Sequence, residues 1–482
     1  MRVLYASAEV APFSKAGGLA DVVGSLPKEL ENKAEIAIFT PLHGCIDTKK
    51  YSIEEIENSQ MWITFGSQPQ KFTLYQTHLP GTKISVFFIK NDWYFSCFKD
   101  VYPRNLDPRY EHERYISFSM AVMEYAKKLN FRPDVIHAND WHTAMIPMFL
   151  HSNYKFDKFW ADTKCVFEIH NLAYQGIWFE DVLEFANMRK DIVYNEWGCE
   201  HFNRVNWMKG AILYSDRVVT VSPTYSREIL SGEYGENMDY TLRGIQYKLR
   251  GIINGIDYTI FNPKTDKALV KNYDVKSLNN KEANKKAVCE YFGLEYNQDR
   301  PLIVLISRLV EQKGIDLIRD MQYELQNLDA DFVFLGSGDK DYENLFIWLS
   351  NNTKNIRTYV GYDAKLANLL YAGSDFFLMP SKFEPCGLSQ LIAMRYGSLP
   401  IVRATGGLED TVTGYPLDNS NGFKFFSYNG WDMLNAIKCA LYVYTDKYVF
   451  NAMRESAIKT DFSWKKSAQQ YIDMYKEIAV AK

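Results

Sequence analysis

Two cations stand five residues apart in Ser307-Arg308-Leu309-Val310-Glu311-Gln312-Lys313-Gly314, directly after the apolar run Leu302–Ser307. A guanidinium fork and an ammonium at the carboxyl end of a strand suit a departing diphosphate, on which negative charge builds as its bond to carbon breaks. At an effective dielectric near 20, a cation about 4 Å from a phosphate oxygen contributes about 4 kcal/mol before desolvation. Two such cations can do the work of a metal ion; the competing reading is a solvated surface pair. A second constellation, Pro380-Ser381-Lys382-Phe383-Glu384-Pro385-Cys386-Gly387-Leu388, follows another apolar run. It reads as a strand–loop–helix junction with Gly387 opening the helix. Glu384 at its lip can accept hydrogen bonds from sugar hydroxyls while the N–H groups of the helix start meet phosphate.

Glycine turns occur in both halves of the chain. Lys15-Ala16-Gly17-Gly18-Leu19-Ala20-Asp21 follows the run ending Ser7-Ala8-Glu9, and Arg403-Ala404-Thr405-Gly406-Gly407-Leu408 occupies a corresponding place in the second half. Paired glycines between strand and helix let backbone N–H groups approach a phosphate or sugar, and Lys15 can reach over such a site. Neither turn is a dinucleotide fingerprint or a P-loop. Two similar turns suggest a ligand gripped from both sides. His137-Ala138-Asn139-Asp140-Trp141-His142 and Glu168-Ile169-His170-Asn171-Leu172 also follow apolar runs, which aims Asp140 and His170 at one cleft. His137 reads as a buried histidine satisfied by backbone. A zinc site is disfavoured, because there is neither an HExxH motif nor a cysteine cluster.

These residues need strands that end in one place. Short apolar runs alternate with helical patterns along the whole chain, the signature of parallel α/β layers. In the first half the runs are Val3–Ala6, Ala34–Phe39, Lys83–Ile89, Val135–His137, Cys165–Ile169 and Arg217–Val221, with helices at Ser117–Leu129 and Trp207–Tyr214. A second series comprises Leu302–Ser307, Phe332–Leu335, Arg357–Val360, Phe376–Pro380, Leu399–Val402 and Gly422–Phe426, with helices at Asp316–Leu328, Lys340–Leu349 and Leu388–Tyr396. The stretch from Asn254 to about Arg300 is polar and broken, which places a hinge near Gly255 and an irregular entry to the second domain. Ser463–Val480 reads as an amphipathic helix able to pack on either domain. The expected architecture is two doubly wound α/β domains, 1–254 and 255–460, with ligands at the carboxyl ends of strands facing a central cleft, and a terminal segment 461–482.

The chain has 482 residues, 47% hydrophobic and 24% charged, with a net charge of −4, so no basic field argues for nucleic acid or an anionic membrane. Aromatic residues reach 15%, which core packing accounts for more simply than sugar stacking. Seven cysteines without a CxxC pair fit a reducing compartment. The start, MRVLYASAEV, carries no charged-then-apolar signal or transit-type segment, so a cytoplasmic location is expected, or a plastid stroma after removal of a transit peptide.

Eight blocks in order resemble the bacterial glycogen synthases and the related starch synthases across nearly the whole chain: SAEVAPFSKAGGLADVVGSLPKEL, HANDWHTAM, IHNLAYQG, VSPTYSREI, INGIDYTIFNP, SRLVEQKGIDL, PSKFEPCGLSQLIAMRYG and VRATGGLEDTV. The resemblance implies the GT-B architecture of two facing Rossmann-like domains, with a C-terminal helix crossing back onto the first. It implies retaining glucosyl transfer from ADP-glucose, or alternatively UDP-glucose, to the non-reducing 4-hydroxyl of an α-1,4-glucan such as glycogen, starch or a maltooligosaccharide. No metal, no pyridoxal phosphate, no nucleic acid and no membrane partner are expected. By position, Lys15, Gly17 and Gly18 lie in the family's nucleotide-sugar loop. Arg308 and Lys313 match its diphosphate-binding cations, and Glu384 matches the carboxylate that holds the donor glucose. Cys386, Gly387 and Leu388 lie beside that carboxylate, and Thr405, Gly406 and Gly407 form the second glycine turn. His170 matches the histidine near the glucose 6-hydroxyl and the reaction centre. Asp140 and Asn254 match cleft residues, and Asp21, Tyr102 and Tyr362 further donor-site positions. Three departures stand out: Ala16 where Thr or Val is usual, Asn139 where many relatives have His, and Ile392 where other retaining GT-B enzymes carry a second glutamate, eight residues after Glu384. The last fits the glycogen and starch synthase branch.

Overall fold

The computed structural model describes residues 1–479. These divide into two compact units, one formed by Met1–Asn254 together with the chain from Trp464 onward, the other by Gly255–Ser463.

The first unit is built on a ten-stranded sheet among the described residues. Its strands in chain order are β1 (Arg2–Ala6), β2 (Glu35–Pro41), β3 (Glu54–Glu55), β4 (Met61–Phe65), β5 (Gln68–His78), β6 (Ser85–Lys90), β7 (Val135–Asn139), β8 (Lys164–Ile169), β9 (Arg217–Thr220) and β10 (Leu249–Gly251). The spatial order is β10-β9-β8-β7-β1-β2-β6-β5-β3, with β4 on β5. Pairings from β10 to β6 are parallel, and β3, β4 and β6 pair with β5 antiparallel. The parallel strands are buried on both faces and therefore read as continuous apolar runs. The direction of winding reverses between β1 and β7, and the loops that carry Lys15 and Asp140 leave their carboxyl ends there, where doubly wound sheets bind ligands.

One face of this sheet is covered by the first helix (Gly18–Leu30) and the C-terminal helix (Trp464–Ala479). The latter buries Trp464, Ser467, Ala468, Tyr471, Ile472, Tyr475 and Ile478, a stripe at spacings of three and four, against a core that includes Tyr5, Val22, Ile38 and Val135. The helix read from Ser117 begins at Pro108. Asp107 caps it through the N–H groups of Arg109 (2.8 Å) and Tyr110 (3.3 Å), and Pro108 occupies the first helical position. Its early turns look exposed in sequence but bury His112 and Arg114.

The second unit has a six-stranded sheet, parallel throughout: β11 (Leu302–Ile306), β12 (Asp331–Gly336), β13 (Ile356–Val360), β14 (Phe376–Met379), β15 (Leu399–Arg403) and β16 (Phe423–Phe425). The order β13-β12-β11-β14-β15-β16 reverses between β11 and β14, whose following loops carry Arg308–Lys313 and Ser381–Leu388. The segment Asp316–Leu328 is two short helices, Ile315–Asp320 and Gln322–Gln326, parted at Met321. The polar stretch SLNNKEANKK is ordered as well: Lys281–Phe292 is a helix. Lys281 donates to the carbonyls of Tyr371 (3.0 Å) and Ala372 (2.6 Å), and Lys285 pairs with Asp375 at 3.0 Å, so ammonium groups are buried where apolar side chains would be expected.

The tyrosine-rich composition goes largely into packing, with Tyr5, Tyr94, Tyr115, Tyr125, Tyr273, Tyr396, Tyr471 and Tyr475 all fully buried. All seven cysteines are free thiols. No helix among the described residues is long and apolar enough to cross a membrane.

Candidate active site

In the first unit the Lys15–Asp21 turn is organised by a residue the motif reading passes over. Glu9, 2% exposed, accepts hydrogen bonds from the N–H groups of Ala16 and Gly17, the latter at 3.0 Å. Those two donors, which a phosphate could have used, are committed to a carboxylate of the chain itself. Burial pushes the Glu9 carboxyl up from its ordinary range, and the two N–H groups pull it back. The Tyr102 hydroxyl lies 3.5 Å from Glu9 Oε1, and its ring stacks on His142. Lys15 and Gly18 are exposed, and Lys15 pairs with Asp21 at 2.7 Å.

At the end of β7, Asp140 adopts φ 54° and ψ 179°, a region that non-glycine residues rarely occupy and that costs about 1–3 kcal/mol. Hydrogen bonds from both sides hold it there. Its N–H donates to Glu168 O (2.9 Å), its carbonyl accepts from Thr143 N–H (3.1 Å), and its Oδ1 accepts from His170 N–H at 2.8 Å. Burial raises the Asp140 carboxyl, opposed by His170. The joint placement of Asp140 and His170 is thus direct contact. Asn139 orients the His170 ring through a 3.0 Å contact between Oδ1 and Nε2. His137 faces side chains rather than backbone: Nδ1 is 2.5 Å from the Tyr475 hydroxyl, and Nε2 lies 2.7 Å from Glu168 Oε2, at ion-pair distance but outside hydrogen-bond geometry. Asn254, the last residue of this stretch, is 5% exposed, and its Oδ1 has no hydrogen-bond partner among the described residues.

In the second unit, Lys313 and Glu384 are one construction. The ammonium lies 2.9 and 2.6 Å from the two carboxylate oxygens, and Ser381 Oγ donates to Oε2 at 2.9 Å. Glu384 is buried at 5% exposure rather than standing at a lip. Arg308 is exposed and makes no ion pair among the described residues, so its guanidinium is available to an incoming anion. The glycines here serve chain-to-chain contact. A Cβ on Gly406 would fall 1.9 Å from the Glu384 carbonyl oxygen, and one on Gly407 2.2 Å from that of Cys386. Gly407 N–H donates to Glu384 O at 3.1 Å, so the second glycine turn lies against the loop that holds the carboxylate. Gly387 does not open a helix; it adopts φ 74°, and the helix begins at Ser389, after Leu388. Cys386 and Thr405 are buried in this contact, whereas Tyr362, after β13, is 70% exposed.

Glu9, Glu168 and Ser381 lie inside the motifs, but their types and spacing point to no ligand. Asn139 stands out only as a departure from the family pattern, and nothing in the pattern singles out Tyr471. Carboxylates two residues before Asp140-facing His170 or six before Lys15 become informative only once the turn between them is known to close.

Two Rossmann-type units with charged loops at their switch points define a GT-B glycosyltransferase. Residues 2–244 match the starch synthase catalytic domain family, and residues 291–442 match glycosyl transferases group 1. The chain belongs to the glycogen and starch synthase family of glucosyltransferases. It is 41% identical to the glycogen synthase of Thermotoga maritima, covering 100% of this chain and 99% of that one. It is 43% identical to the glycogen synthase of Exiguobacterium sibiricum, covering 99% of each. The catalytic domain of starch synthase IV from Arabidopsis thaliana, solved bound to ADP and acarbose, superposes with a TM-score of 0.92 at 32% identity over 99% of both chains. A sucrose-phosphate synthase from Thermosynechococcus elongatus, at 17% identity and a TM-score of 0.62, shares the fold.

Proposed function

We propose that this protein transfers glucose from ADP-glucose to the non-reducing 4-hydroxyl of an α-1,4-glucan, with retention and without a metal or pyridoxal phosphate, in the cytoplasm. The observation that carries the reading is the cluster at the β11/β14 switch point, where Lys313 is fixed on buried Glu384 and Arg308 stands exposed beside the same loop system. The ADP bound by the starch synthase IV catalytic domain supports the choice of adenine.

In this reading the C1–O bond to the diphosphate breaks while Arg308 and Lys313 neutralise the charge that develops on the leaving group. The acceptor 4-hydroxyl oxygen bonds to C1 from the same face, and its proton passes to the departing phosphate oxygen. Glu384 holds the sugar hydroxyls, and His170 with Asp140 stabilises the cationic character at the ring. Lys15, Gly17, Gly18, Asp21, Tyr102, Asn254 and Tyr362 complete the donor side by resemblance.

The test is nucleotide release from ADP-glucose and UDP-glucose with glycogen as acceptor, run with and without EDTA. Preferential ADP release that EDTA does not affect is the expected result. Preference for UDP-glucose overturns the donor assignment, loss of activity with EDTA overturns metal independence, and glucan binding without release makes the chain an inactive binding protein. Absorbance at the Schiff-base band would indicate a phosphorylase.

A further inference from the structure

Behind His170 lies a buried polar network that the transfer reaction as described above does not use, and it reaches into the last helix of the chain. Both amide hydrogens of Asn139 are directed at carbonyls, Ala6 O at 3.0 Å and His137 O at 3.3 Å. Asn139 therefore presents only its oxygen to His170, and Nε2 of that ring must carry the hydrogen of their 3.0 Å bond. In the neutral ring the tautomer follows from the surroundings: Nε2–H points at Asn139, and Nδ1 is left without a hydrogen. Glu168, 0% exposed, places Oε1 3.9 Å from the same Nε2. That oxygen accepts a 2.7 Å hydrogen bond from the Tyr471 hydroxyl of the C-terminal helix, and Oε2 lies 2.7 Å from His137 Nε2. His137 is in turn held by Tyr475 at 2.5 Å, and Tyr475 by Tyr5 at 2.6 Å.

We propose that Glu168 and Tyr471 are positioning residues for His170: together with Asn139 they hold its imidazole with Nε2–H inward, and the C-terminal helix thereby takes part in setting the reaction centre. The proposal rests on the reading of His170 as a residue of the glucosyl-transfer site. An orienting partner on the inner nitrogen of a functional histidine fixes which atom faces the substrate. The groups facing the ring and its carboxylate are Asn139, Asp140 and His137 from β7 and its loop, Glu168 from β8, Tyr5 from β1, and Tyr471 and Tyr475 from the helix.

The test uses the full-length chain in three forms, Tyr471→Phe, Glu168→Gln and Glu477→Gln. The last cuts the helix's exposed pair with Arg250 (2.6 Å) and leaves the buried network alone. Tyr471→Phe and Glu168→Gln are expected to lower kcat about tenfold, with KM for donor and glucan within about twofold, while Glu477→Gln matches the wild type. Nitrogen-15 spectra of histidine-labelled wild-type protein, with His170 assigned through His170→Asn, are expected to show the Nε2–H tautomer. A kcat within twofold of wild type in both network variants overturns the proposal, even where Tm falls. So does an Nδ1–H tautomer at His170, a readout that stands even if neither variant folds. Failure of the glucosyl-transfer reading appears separately, as absence of nucleotide release by the wild-type protein.

Discussion

Replacing Lys313 by alanine removes one ammonium from two relationships, one seen in the structure and one that the proposed reaction requires. The first is with Glu384: Nζ lies 2.6 and 2.9 Å from its oxygens, and Ser381 Oγ also donates to that carboxylate. Breaking a buried ion pair costs about 3–5 kcal/mol, and the 17% exposure of the lysine side chain argues for the lower end, about 3 kcal/mol. For a unit of this size that lowers Tm by about 6–12 °C. The second, in the proposed reaction, is with the leaving diphosphate. Loss of one preorganised electrostatic stabiliser costs about 2.7–4 kcal/mol of transition-state energy, so kcat should fall about 10²–10³-fold. Glucan affinity, which does not involve this group, should be unchanged. Adding Glu384→Gln to Lys313→Ala removes the stranded charge and should recover most of the lost Tm without recovering kcat. The assays are nucleotide release at saturating ADP-glucose, glycogen binding, and thermal unfolding. If kcat of Lys313→Ala stays within about threefold of wild type while Tm falls, the lysine is a counter-ion for Glu384 only and the leaving-group argument is wrong.

Three further outcomes follow from the geometry. Glu9→Ala removes the single oxygen, Oε2, that accepts from both N–H groups of the Lys15 turn, about 2 kcal/mol of hydrogen bonding in all, so KM for the nucleotide sugar should rise about thirtyfold; an unchanged KM would show that Glu9 does not shape that turn. Gly407→Ala puts a methyl group 2.2 Å from a backbone oxygen of Cys386, which cannot rotate away; the displaced Glu384 loop should cut kcat about a hundredfold, and near-normal turnover would refute the role given to that contact. His43, His112 and His142 are held by burial at about 4, 4 and 3, below the ordinary value of about 6.5. The unfolded chain therefore takes up protons first. The stability these neutral rings contribute is complete above about pH 6.5 and is lost as pH falls toward 4, by up to about 1.4 kcal/mol per pH unit for each ring. Urea midpoints that stay flat from pH 7 to pH 5 would contradict this.

The parallel strands are legible in sequence because both their faces are buried, so β1, β11 and β14 announce themselves as apolar runs with turns behind them. The strand β5 is not, since it alternates buried and exposed residues and pairs antiparallel at the sheet margin. The helix Lys281–Phe292 escapes for the opposite reason: lysines whose ammonium groups bind carbonyls and Asp375 occupy its inner face, and apolar periodicity cannot register them. In the candidate site, Lys313, Glu384 and His170 stand out by residue type and by their place after apolar runs. Residues that hold them in place do not. Glu168 meets Tyr471 across 303 positions, and only the folded sheet brings them together.

The first unit is discontinuous along the chain, and that has a consequence during synthesis. Residues 255–463 leave the ribosome before Trp464–Ala479, so the second unit has its whole sequence available while the first still lacks a helix. Until then the sheet face around Tyr5, Ile38 and Val135 has no cover from Tyr471, Ile472 and Tyr475, and His137 and Glu168 lack their hydroxyl partners. A nascent chain in that state exposes apolar surface for the time needed to translate about two hundred residues, which at roughly 5–20 residues per second is tens of seconds. Completion of the first unit thus waits until Trp464–Ala479 has been made, and a chain that stops short of Trp464 leaves that sheet face bare.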